Sequence, residues 1–347
     1  MKKNILILDD SALMRRALSA IINKTEEYQV AWEASNGLEG LSIVETEHVD
    51  MILLDMHMPK MNGVEFLRVL KENDVDIPVV VISGYSKRDT KDTIEALELG
   101  ALEFVRKPES VLKEREEFET HILRVLKYSL EDKKLVNSVP RDARTRPVTQ
   151  KTKTGHGRLV AIACSTGGPK ALQDIIPLLP ADLAAPVIIV QHMPAGFTNS
   201  LAVRLNHLSK VEVSEAEDNQ VLENGHVYIA RGGKHLLVKA RGTGHVVSFS
   251  EMPPVNGLRP CANYMYESLE NSNYEKIICV VLTGMGADGT QGIQRLNNSK
   301  LIHVIAQDAA TSTIYGMPRA VTEAGMVDEI RPLTEIAEAI KIQVGVR

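Results

Sequence analysis

The sequence predicts an α/β protein with two domains, and three observations support this prediction. Apolar runs of strand length alternate with helical patterns, which is typical of parallel sheets covered by helices. The 347 residues suffice for about two domains of ordinary size. A polar stretch without apolar periodicity separates two such alternating regions. We therefore predict a five-stranded parallel-sheet domain at 1–130, a linker at 131–157, and a doubly wound, mainly parallel α/β domain with an antiparallel hairpin at 158–347.

The composition is that of an ordinary globular protein, with 44% hydrophobic and 24% charged residues. The net charge of −5 argues against a bulk attraction to nucleic acid, so we expect no nucleic-acid partner. Three cysteines imply no disulfide framework. Met1 to Ile7 lacks the apolar core of a signal peptide, and no apolar run approaches the ~18 residues that span a bilayer. We expect a cytoplasmic protein without membrane insertion.

The first domain is predicted from five strand-like runs and five helical patterns that alternate with them. The strands are predicted at Asn4–Leu8, Val30–Ala34, Met51–Leu54, Pro78–Ile82 and Glu103–Val105. The helices are predicted at Leu13–Ile22, Gly37–Glu47, Gly63–Glu72, Asp89–Leu99 and Glu109–Leu130. This alternation predicts one parallel sheet with helices on both faces.

Acidic side chains follow two of these strands. Asp9 and Asp10 end the first strand, and Asp55 ends the third. The carboxyl ends of parallel strands meet at one sheet edge, where three carboxylates repel one another unless a divalent cation such as Mg²⁺ or Mn²⁺ neutralises them. Ser83 ends the fourth strand and Lys107 follows the fifth. The alternative is that these acids are helix caps and solvated strand ends.

Three motifs in this region resemble the response-regulator receiver domain, which has a flavodoxin-like fold. They are Leu-Asp-Asp-Ser-Ala-Leu-Met-Arg at 8–15, Leu-Leu-Asp-Met-His-Met-Pro-Lys-Met-Asn-Gly at 53–63, and Phe-Val-Arg-Lys-Pro at 104–108. The resemblance covers roughly the first 125 residues. It places Phe104 at the aromatic switch position of the family, where the side chain has no hydroxyl group.

The receiver resemblance implies a phosphorylation site. Asp55 would accept the phosphoryl group from a chemotaxis histidine kinase. Ser83 and Lys107 would contact the phosphoryl oxygens. A carboxylate nucleophile needs a cation and a lysine to neutralise the incoming group. The residues that would hold Mg²⁺, directly or through water, are Asp9, Asp10, Asp55 and the backbone carbonyl of His57.

The segment Lys133–Arg158 contains Pro140 and Pro147 among basic residues and has no hydrophobic face. This composition is typical of a flexible or extended linker. The alternative is a basic segment that contacts nucleic acid or an acidic partner.

The second domain is organised around Leu159–Lys170, which reads as a strand, a tight turn and the start of a helix. Ser165 ends the strand, where backbone N–H groups of the next helix can stabilise negative charge, and it is our candidate nucleophile. The alternative is that Ser165 or Thr166 only caps the helix.

Two further strands carry the other groups needed for acyl transfer. Ala185–Gln191 leads to His192, and Lys276–Leu282 leads to a glycine-rich loop that contains Met285 and Asp288. A neutral imidazole can activate a serine hydroxyl, and a carboxylate can orient the imidazole. The glycines free the backbone near Met285 to aim N–H groups at an oxyanion.

Several residues compete for these roles. Cys164 is intrinsically more nucleophilic than serine, but its position in the strand predicts a buried side chain. His226 and His235 lie in Asn224–Lys239, which we predict to form an antiparallel hairpin, and either could act as the base. His207 and His245 are predicted to be surface residues. No Cys or His cluster has the spacing of zinc ligands.

The second domain resembles the chemotaxis protein-glutamate methylesterases, the CheB family. The shared motifs are Ala-Cys-Ser-Thr-Gly-Gly at 163–168, Gln-His-Met-Pro-Ala-Gly-Phe-Thr at 191–198, Pro-Pro-Val-Asn at 253–256, Leu-Thr-Gly-Met-Gly-Ala-Asp-Gly at 282–289 and Tyr-Gly-Met-Pro at 315–318. The resemblance implies a catalytic triad of Ser165, His192 and Asp288, with Thr166 and Met285 lining the reacting centre. After Pro260 the chain has Cys-Ala-Asn-Tyr where the family pattern has Ser and an acid, which bears on receptor recognition.

The two resemblances together imply a phosphorylation-activated serine esterase that acts on glutamate methyl esters of chemoreceptors and also deamidates receptor glutamines. They imply that the unphosphorylated receiver covers the catalytic crevice. We expect a monomer, with no cofactor for the esterase chemistry. Two alternatives are a phosphorylation-controlled binding or transcriptional regulator without esterase activity, and an enzyme that acts mainly as a deamidase.

Overall fold

The computed structural model describes residues 2–84, 86–108, 115–131 and 157–345. The chain divides into two compact units, Met1–Lys134 and Leu135–Arg347, and each is described by itself. Most of the predicted linker, residues 132–156, lies outside the described residues. The domain boundaries therefore stay predictions.

The first unit is a five-stranded sheet in the order β2-β1-β3-β4-β5, in which every neighbouring pair is parallel. Its strands are β1 Lys3–Leu8, β2 Tyr28–Ala34, β3 Met51–Asp55, β4 Val79–Ser83 and β5 Glu103–Arg106. Its helices are α1 Ala12–Ile22, α2 Gly37–Thr46, α3 Gly63–Glu72, α4 Lys87–Leu99 and α5 Arg115–Glu131. The predicted fold of this domain is confirmed. The first six residues of the predicted last helix, 109–114, lie outside the described residues.

Local sequence signals explain where several of these helices begin. The side chains of Ser11 and Asn36 accept hydrogen bonds from the first turns of α1 and α2. Asn62 and Glu65 form a reciprocal capping box at the start of α3, and Ser86 and Asp89 form another at α4. These caps satisfy N–H groups that have no partner within the helix.

The second unit contains a seven-stranded parallel sheet in the order β14-β13-β12-β6-β7-β9-β8 and a separate antiparallel pair, β10-β11. Its strands are β6 Arg158–Cys164, β7 Val187–Gln191, β8 Glu212–Glu215, β9 His226–Ile229, β10 His235–Arg241, β11 Gly244–Ser250, β12 Lys276–Val281, β13 Ile302–Gln307 and β14 Glu329–Arg331. Its helices are α6 Gly168–Ile175, α7 Phe197–Leu208, α8 Ala262–Ser268, α9 Thr290–Ser299, α10 Met317–Glu323 and α11 Leu333–Val344. The predicted mainly parallel fold with a hairpin is confirmed.

The predicted position of the hairpin, Asn224–Lys239, is wrong. His226–Ile229 is a parallel strand of the large sheet, whereas the hairpin pairs His235 with Ser250 through to Arg241 with Gly244. Gly232 and Gly233 lie in the connection between β9 and β10, which do not pair with each other, and so they do not form a hairpin turn. A Cβ at Gly232 would meet the backbone of Pro194 at 2.3 Å, so a glycine is needed there for close packing.

The strand order creates a switch point in the second sheet. From the central β6 the chain builds outward through β7 to one edge of the sheet, and later returns to β12 on the other side of β6. Such switch points open a crevice at the carboxyl ends of the strands. Among the described residues, the helices are too short or too polar to span a bilayer.

Candidate functional site

In the first unit, the ends of three strands bring two buried carboxylates to one lysine. Lys107 Nζ lies 2.9 Å from Asp9 Oδ2 and 2.9 Å from Asp55 Oδ1. Asp9 and Asp55 are 1% and 5% exposed, whereas Asp10 is exposed. The register of the sheet explains this meeting, because Leu8 pairs with Leu54 and places Asp9 and Asp55 at the next level.

Burial governs the protonation of this cluster. Burial and the neighbouring Asp9 raise the pKa of Asp55, and the ammonium of Lys107 offsets part of that rise. Burial also disfavours the charged form of Lys107, but Asp55 and Asp9 prevail and raise its pKa. Lys107 therefore stays cationic beside Asp55, whose ionised form is disfavoured by burial. The ammonium of Lys107 can then also bind an additional anionic group.

The same acids could hold a metal ion. Ligand oxygens of Asp9, Asp10 and Asp55 all lie within 4.8 Å of one another. A set of carboxylate oxygens suits a hard divalent cation such as Mg²⁺. The structure thus brings together the three predicted acidic ligands.

Ser83 and His57 lie beside this cluster. Ser83 is 1% exposed, and its hydroxyl accepts a hydrogen bond from Thr93 at 2.7 Å. The His57 ring points to the first turn of α4, where Nε2 lies 2.6 Å from Asp89 Oδ1. Phe104, predicted at the switch position, is buried.

In the second unit, Ser165 follows β6 but does not cap the next helix. The N-cap residue of α6 is Gly167, at φ 77°, which has no side chain to cap the helix. Neither Ser165 nor Thr166 is therefore the N-cap residue of α6, contrary to the capping alternative. The Ser165 N–H donates to the carbonyl of Thr283 at 3.0 Å, which ties the turn after β6 to the loop after β12.

His192 and Asp288 form a buried pair. His192 Nε2 lies 2.8 Å from Asp288 Oδ2, and the two side chains are 6% and 7% exposed. The backbone N–H of His192 donates to the carbonyl of Cys164, next to Ser165. His192 Nδ1 is buried and has no hydrogen-bond partner among the described residues, Ser165 Oγ included.

Asp288 lies at the N-terminus of α8 and accepts hydrogen bonds from several donors there. The N–H of Ala262 donates to Oδ2 at 2.6 Å, and the N–H of Asn263 donates to Oδ1 at 3.0 Å. The Cys261 thiol donates to Oδ1 at 3.1 Å. Burial would raise the pKa of Asp288, but the hydrogen bond and charge of His192 and these donors lower it to about 2.

The sequence prediction missed the role of the segment Cys261–Asn263. Its departure from the family pattern was linked to receptor recognition, whereas here it contacts Asp288. Asn263 Oδ1 also accepts the N–H groups of Gly289 and Gly292, at 3.0 and 2.8 Å, and so holds the start of α9. The available signal was the N-terminus of a short helix after Pro260, where donors collect.

The glycine-rich loop after β12 packs directly against Ser165. A Cβ at Gly284 would lie 2.8 Å from Ser165 Cβ and 2.5 Å from Met317 Sδ. The Gly284 carbonyl accepts the N–H groups of Gly316 and Met317, at 3.1 and 2.8 Å. These contacts hold the loop that contains Met285.

Thr166 and Met285 flank this turn and this loop. Thr166 is buried, and its carbonyl accepts a hydrogen bond from Thr283 Oγ1 at 2.9 Å. Met285 is half-buried. Thr166 is thus the neighbour of Ser165, and Met285 lies two residues after Thr283, whose carbonyl binds the Ser165 N–H.

The competing nucleophile and bases have other surroundings. Cys164 is buried, as predicted, and burial raises its pKa far above the usual range of a thiol. His226 Nε2 lies 2.8 Å from Ser214 Oγ, and the His226 ring stacks on Tyr228. These contacts belong to the packing of β8 against β9. His235 is buried, and Nε2 lies 3.2 Å from the carbonyl of Pro253.

The predicted surface position is wrong for one of two histidines, His245. His207 is exposed. His245 is only 4% exposed, stacks on Tyr274, and accepts the N–H of Asn273 at 2.9 Å. Its position in the hairpin, which was placed elsewhere in the prediction, turns this side chain toward the core.

Comparisons with known proteins match both units. A family model described as CheB methylesterase matches residues 160–340, and one described as response regulator receiver domain matches residues 5–116. A protein-glutamate methylesterase/protein-glutamine glutaminase of Geobacillus kaustophilus is 40% identical over 98% of each chain. The Bacillus subtilis protein of the same name is 38% identical over 97% of each chain.

One solved structure is similar to the second unit. The CheB methylesterase catalytic domain of Thermotoga maritima is 40% identical, with a TM-score of 0.53, and the match covers 54% of this chain and 99% of that one.

Proposed function

This chain belongs to the CheB methylesterase family, and from that premise we propose that Ser165, His192 and Asp288 catalyse its hydrolytic reactions. The activity is that of a protein-glutamate methylesterase and protein-glutamine glutaminase under the control of a receiver domain. The substrates that we propose are methyl-esterified glutamates and glutamines of chemoreceptors. The observation that carries the proposal is the buried His192–Asp288 pair, which lies in the segments that follow β7 and β12, the two strands that flank β6.

The esterase reaction begins with attack of Ser165 Oγ on the γ-carbonyl carbon of the substrate. His192 Nδ1, the nitrogen that does not bind Asp288, takes the hydroxyl proton. Asp288 stabilises the imidazolium that results, because its low pKa keeps it ionised. Backbone N–H groups near Thr166 and Met285 would receive the oxyanion.

Collapse of the tetrahedral intermediate breaks the bond to the methoxy oxygen, which leaves as methanol with the proton from His192. A water molecule then attacks the acyl-serine, His192 takes one of its protons, and glutamate leaves as Ser165 recovers its proton. A glutamine substrate follows the same steps with ammonia as the leaving group. Neither reaction needs a cofactor in this scheme.

The receiver unit would control this activity through Asp55. We propose that Asp55 attacks the phosphoryl group of a phosphohistidine in the kinase, so that the bond to phosphorus forms as the P–N bond breaks and the imidazole leaves. Lys107 and Ser83 would contact the phosphoryl oxygens. Asp9, Asp10, Asp55 and the backbone carbonyl of His57 would hold Mg²⁺, which supplies positive charge to the transferring group when bound. Phosphorylation would shift the enzyme toward a state with higher esterase activity.

The decisive experiment measures methanol release from methylated receptor membranes. Ser165→Ala should abolish release while the receiver still accepts a phosphoryl group from a small phosphodonor. A matched control is Ser214→Ala, which removes a hydroxyl bound to another histidine, His226, in the same unit. Loss of methanol release in Ser214→Ala with retention in Ser165→Ala would place the nucleophile elsewhere.

A further inference from the structure

A buried glutamine joins the two turns that present the proposed nucleophile and base. Gln191 is the last residue of β7 and is 2% exposed, among the apolar residues of that strand. A carboxamide in such surroundings costs free energy unless its donors and acceptor are satisfied. All of them have partners here, and two of the partners belong to proposed catalytic residues.

The donors of Gln191 point to backbone carbonyls. Nε2 donates to the carbonyl of Ser165 at 3.0 Å and to the carbonyl of His192 at 3.3 Å. The carbonyl of Ser165 also accepts the N–H of Gly168, at 2.8 Å, so both of its lone pairs are used. The orientation of the peptide that follows Ser165 is therefore fixed from two sides.

The acceptor of Gln191 is also held. Oε1 accepts a hydrogen bond from the Cys164 thiol at 3.0 Å. Gly168 leaves the space for this group, because a Cβ there would collide with Gln191 Oε1. The carboxamide thus has one orientation in which all of its hydrogen bonds form.

We propose that Gln191 is a positioning residue for the esterase and glutaminase reactions, and that it sets the placement of Ser165 relative to His192. This inference rests on the proposed roles of Ser165 and His192. Since Gln191 acts on the backbone of both residues, its loss should affect the chemical step more than substrate binding. A displacement of about 1 Å between reacting groups can cost on the order of 10²-fold in rate.

The test compares Gln191→Leu and Gln191→Glu with the wild-type full chain, measuring kcat and KM for methanol release from methylated receptor membranes. Gln191→Leu should lower kcat by about 10- to 100-fold with little change in KM. In Gln191→Glu a protonated carboxyl keeps one donor for the Ser165 carbonyl, whereas the ionised form places negative charge against two carbonyl oxygens. Its kcat relative to wild type should therefore fall as pH rises.

The matched control is Tyr266→Phe, which removes a buried hydroxyl that bridges the carbonyls of Ala161 and Val280 at 3.2 Å each. This variant loses a similar link between two strands, one that involves no backbone group of Ser165 or His192, and should keep the wild-type kcat. Thermal unfolding of all variants shows whether a lost activity reflects lost folding.

The outcomes separate the two proposals. Wild-type kcat in both folded Gln191 variants, a change confined to KM, or an equal fall of kcat in Tyr266→Phe would each overturn the positioning role. If Gln191→Leu does not fold, the pH profile of Gln191→Glu decides, and a profile parallel to wild type overturns the role. Activity retained in Ser165→Ala would instead refute the proposed nucleophile.

Discussion

At the scale of single residues, Asp288 illustrates what the sequence could and could not predict. The positions of Ser165, His192 and Asp288 in the segments after three strands followed from apolar patterns that stop at polar residues, and the structure brings His192 and Asp288 together. The donors that keep Asp288 ionised were not predictable in the same way. Cys261 and Asn263 reach it from a segment without periodicity, so only the tertiary fold shows this contact.

Asp288→Asn should remove a pH-dependent part of the stability. Because the folded-state pKa of about 2 lies below the unfolded value, the stabilisation is present at neutral pH and lost as pH falls through the range between the two. The difference corresponds to about 2 kcal/mol. Urea unfolding followed by circular dichroism from pH 7 to acid should show a flatter acid dependence in the variant. An unchanged dependence would contradict the lowered pKa.

Gly284→Ala should impair the esterase through Ser165. The added Cβ would lie 2.8 Å from Ser165 Cβ, closer than such atoms approach in folded proteins, so either Ser165 or the loop must shift. We expect kcat for methanol release to fall on the order of 10²-fold. Gly244→Ala at the hairpin is the control, since a Cβ there meets nothing within 4 Å. Equal activities of the two variants would show that the loop adapts without moving Ser165.

At the scale of elements, strands and helices with strong local signals were predicted, and the hairpin was misplaced. The α3 helix has an Asn62–Glu65 capping box and a buried face that includes Phe66 and Leu70. Local and tertiary preferences agree there. At Gly232 and Gly233 the local signal of a turn was real, but the chain uses these glycines to pass close to Pro194. A choice between hairpin and crossover depends on packing that the sequence pattern does not contain.

Asn62→Ala should destabilise the first unit by about 1 kcal/mol, because it removes the side-chain acceptor for the N–H of Glu65. The chain has one tryptophan, Trp32 in β2, so its fluorescence during urea unfolding reports on this unit. Glu72→Ala at the other end of α3 is the control and should change the free energy of unfolding by less than about 0.5 kcal/mol. The role of the cap would be excluded by equal midpoints for the two variants.

At the scale of the whole molecule, the chain combines a phosphorylation unit with a hydrolytic unit, each with its own sheet and its own site at the carboxyl ends of parallel strands. The sequence could predict both units because each carries its polar residues at the ends of apolar strands. The sequence could not predict how the two units are connected, because residues 131–157 have neither apolar periodicity nor a strand pattern.

A small phosphodonor should stimulate methanol release by the wild-type full chain, and Asp55→Ala should abolish that stimulation. Asp55 is the buried carboxylate beside Lys107, whereas Asp50 lies near the opposite end of β3 and pairs with Lys3 at 2.8 Å. Asp50→Ala therefore serves as the control and should keep the stimulation. Stimulation that persists in Asp55→Ala would show that activation does not pass through this carboxylate.

The orientation of the His192 ring has a consequence for how much the surroundings of the site can vary. Nδ1 lies closer to the backbone than Nε2, so a base that works through Nδ1 has a short reach and requires a nucleophile on an adjacent strand. β6 and β7 are such neighbours, with Cys164 paired to Gln191 immediately before the two proposed catalytic positions. The separation of nucleophile and base is then set by the spacing of paired strands, about 4.8 Å. Insertions in the outer loops could reshape the surface around the site while this spacing stays the same.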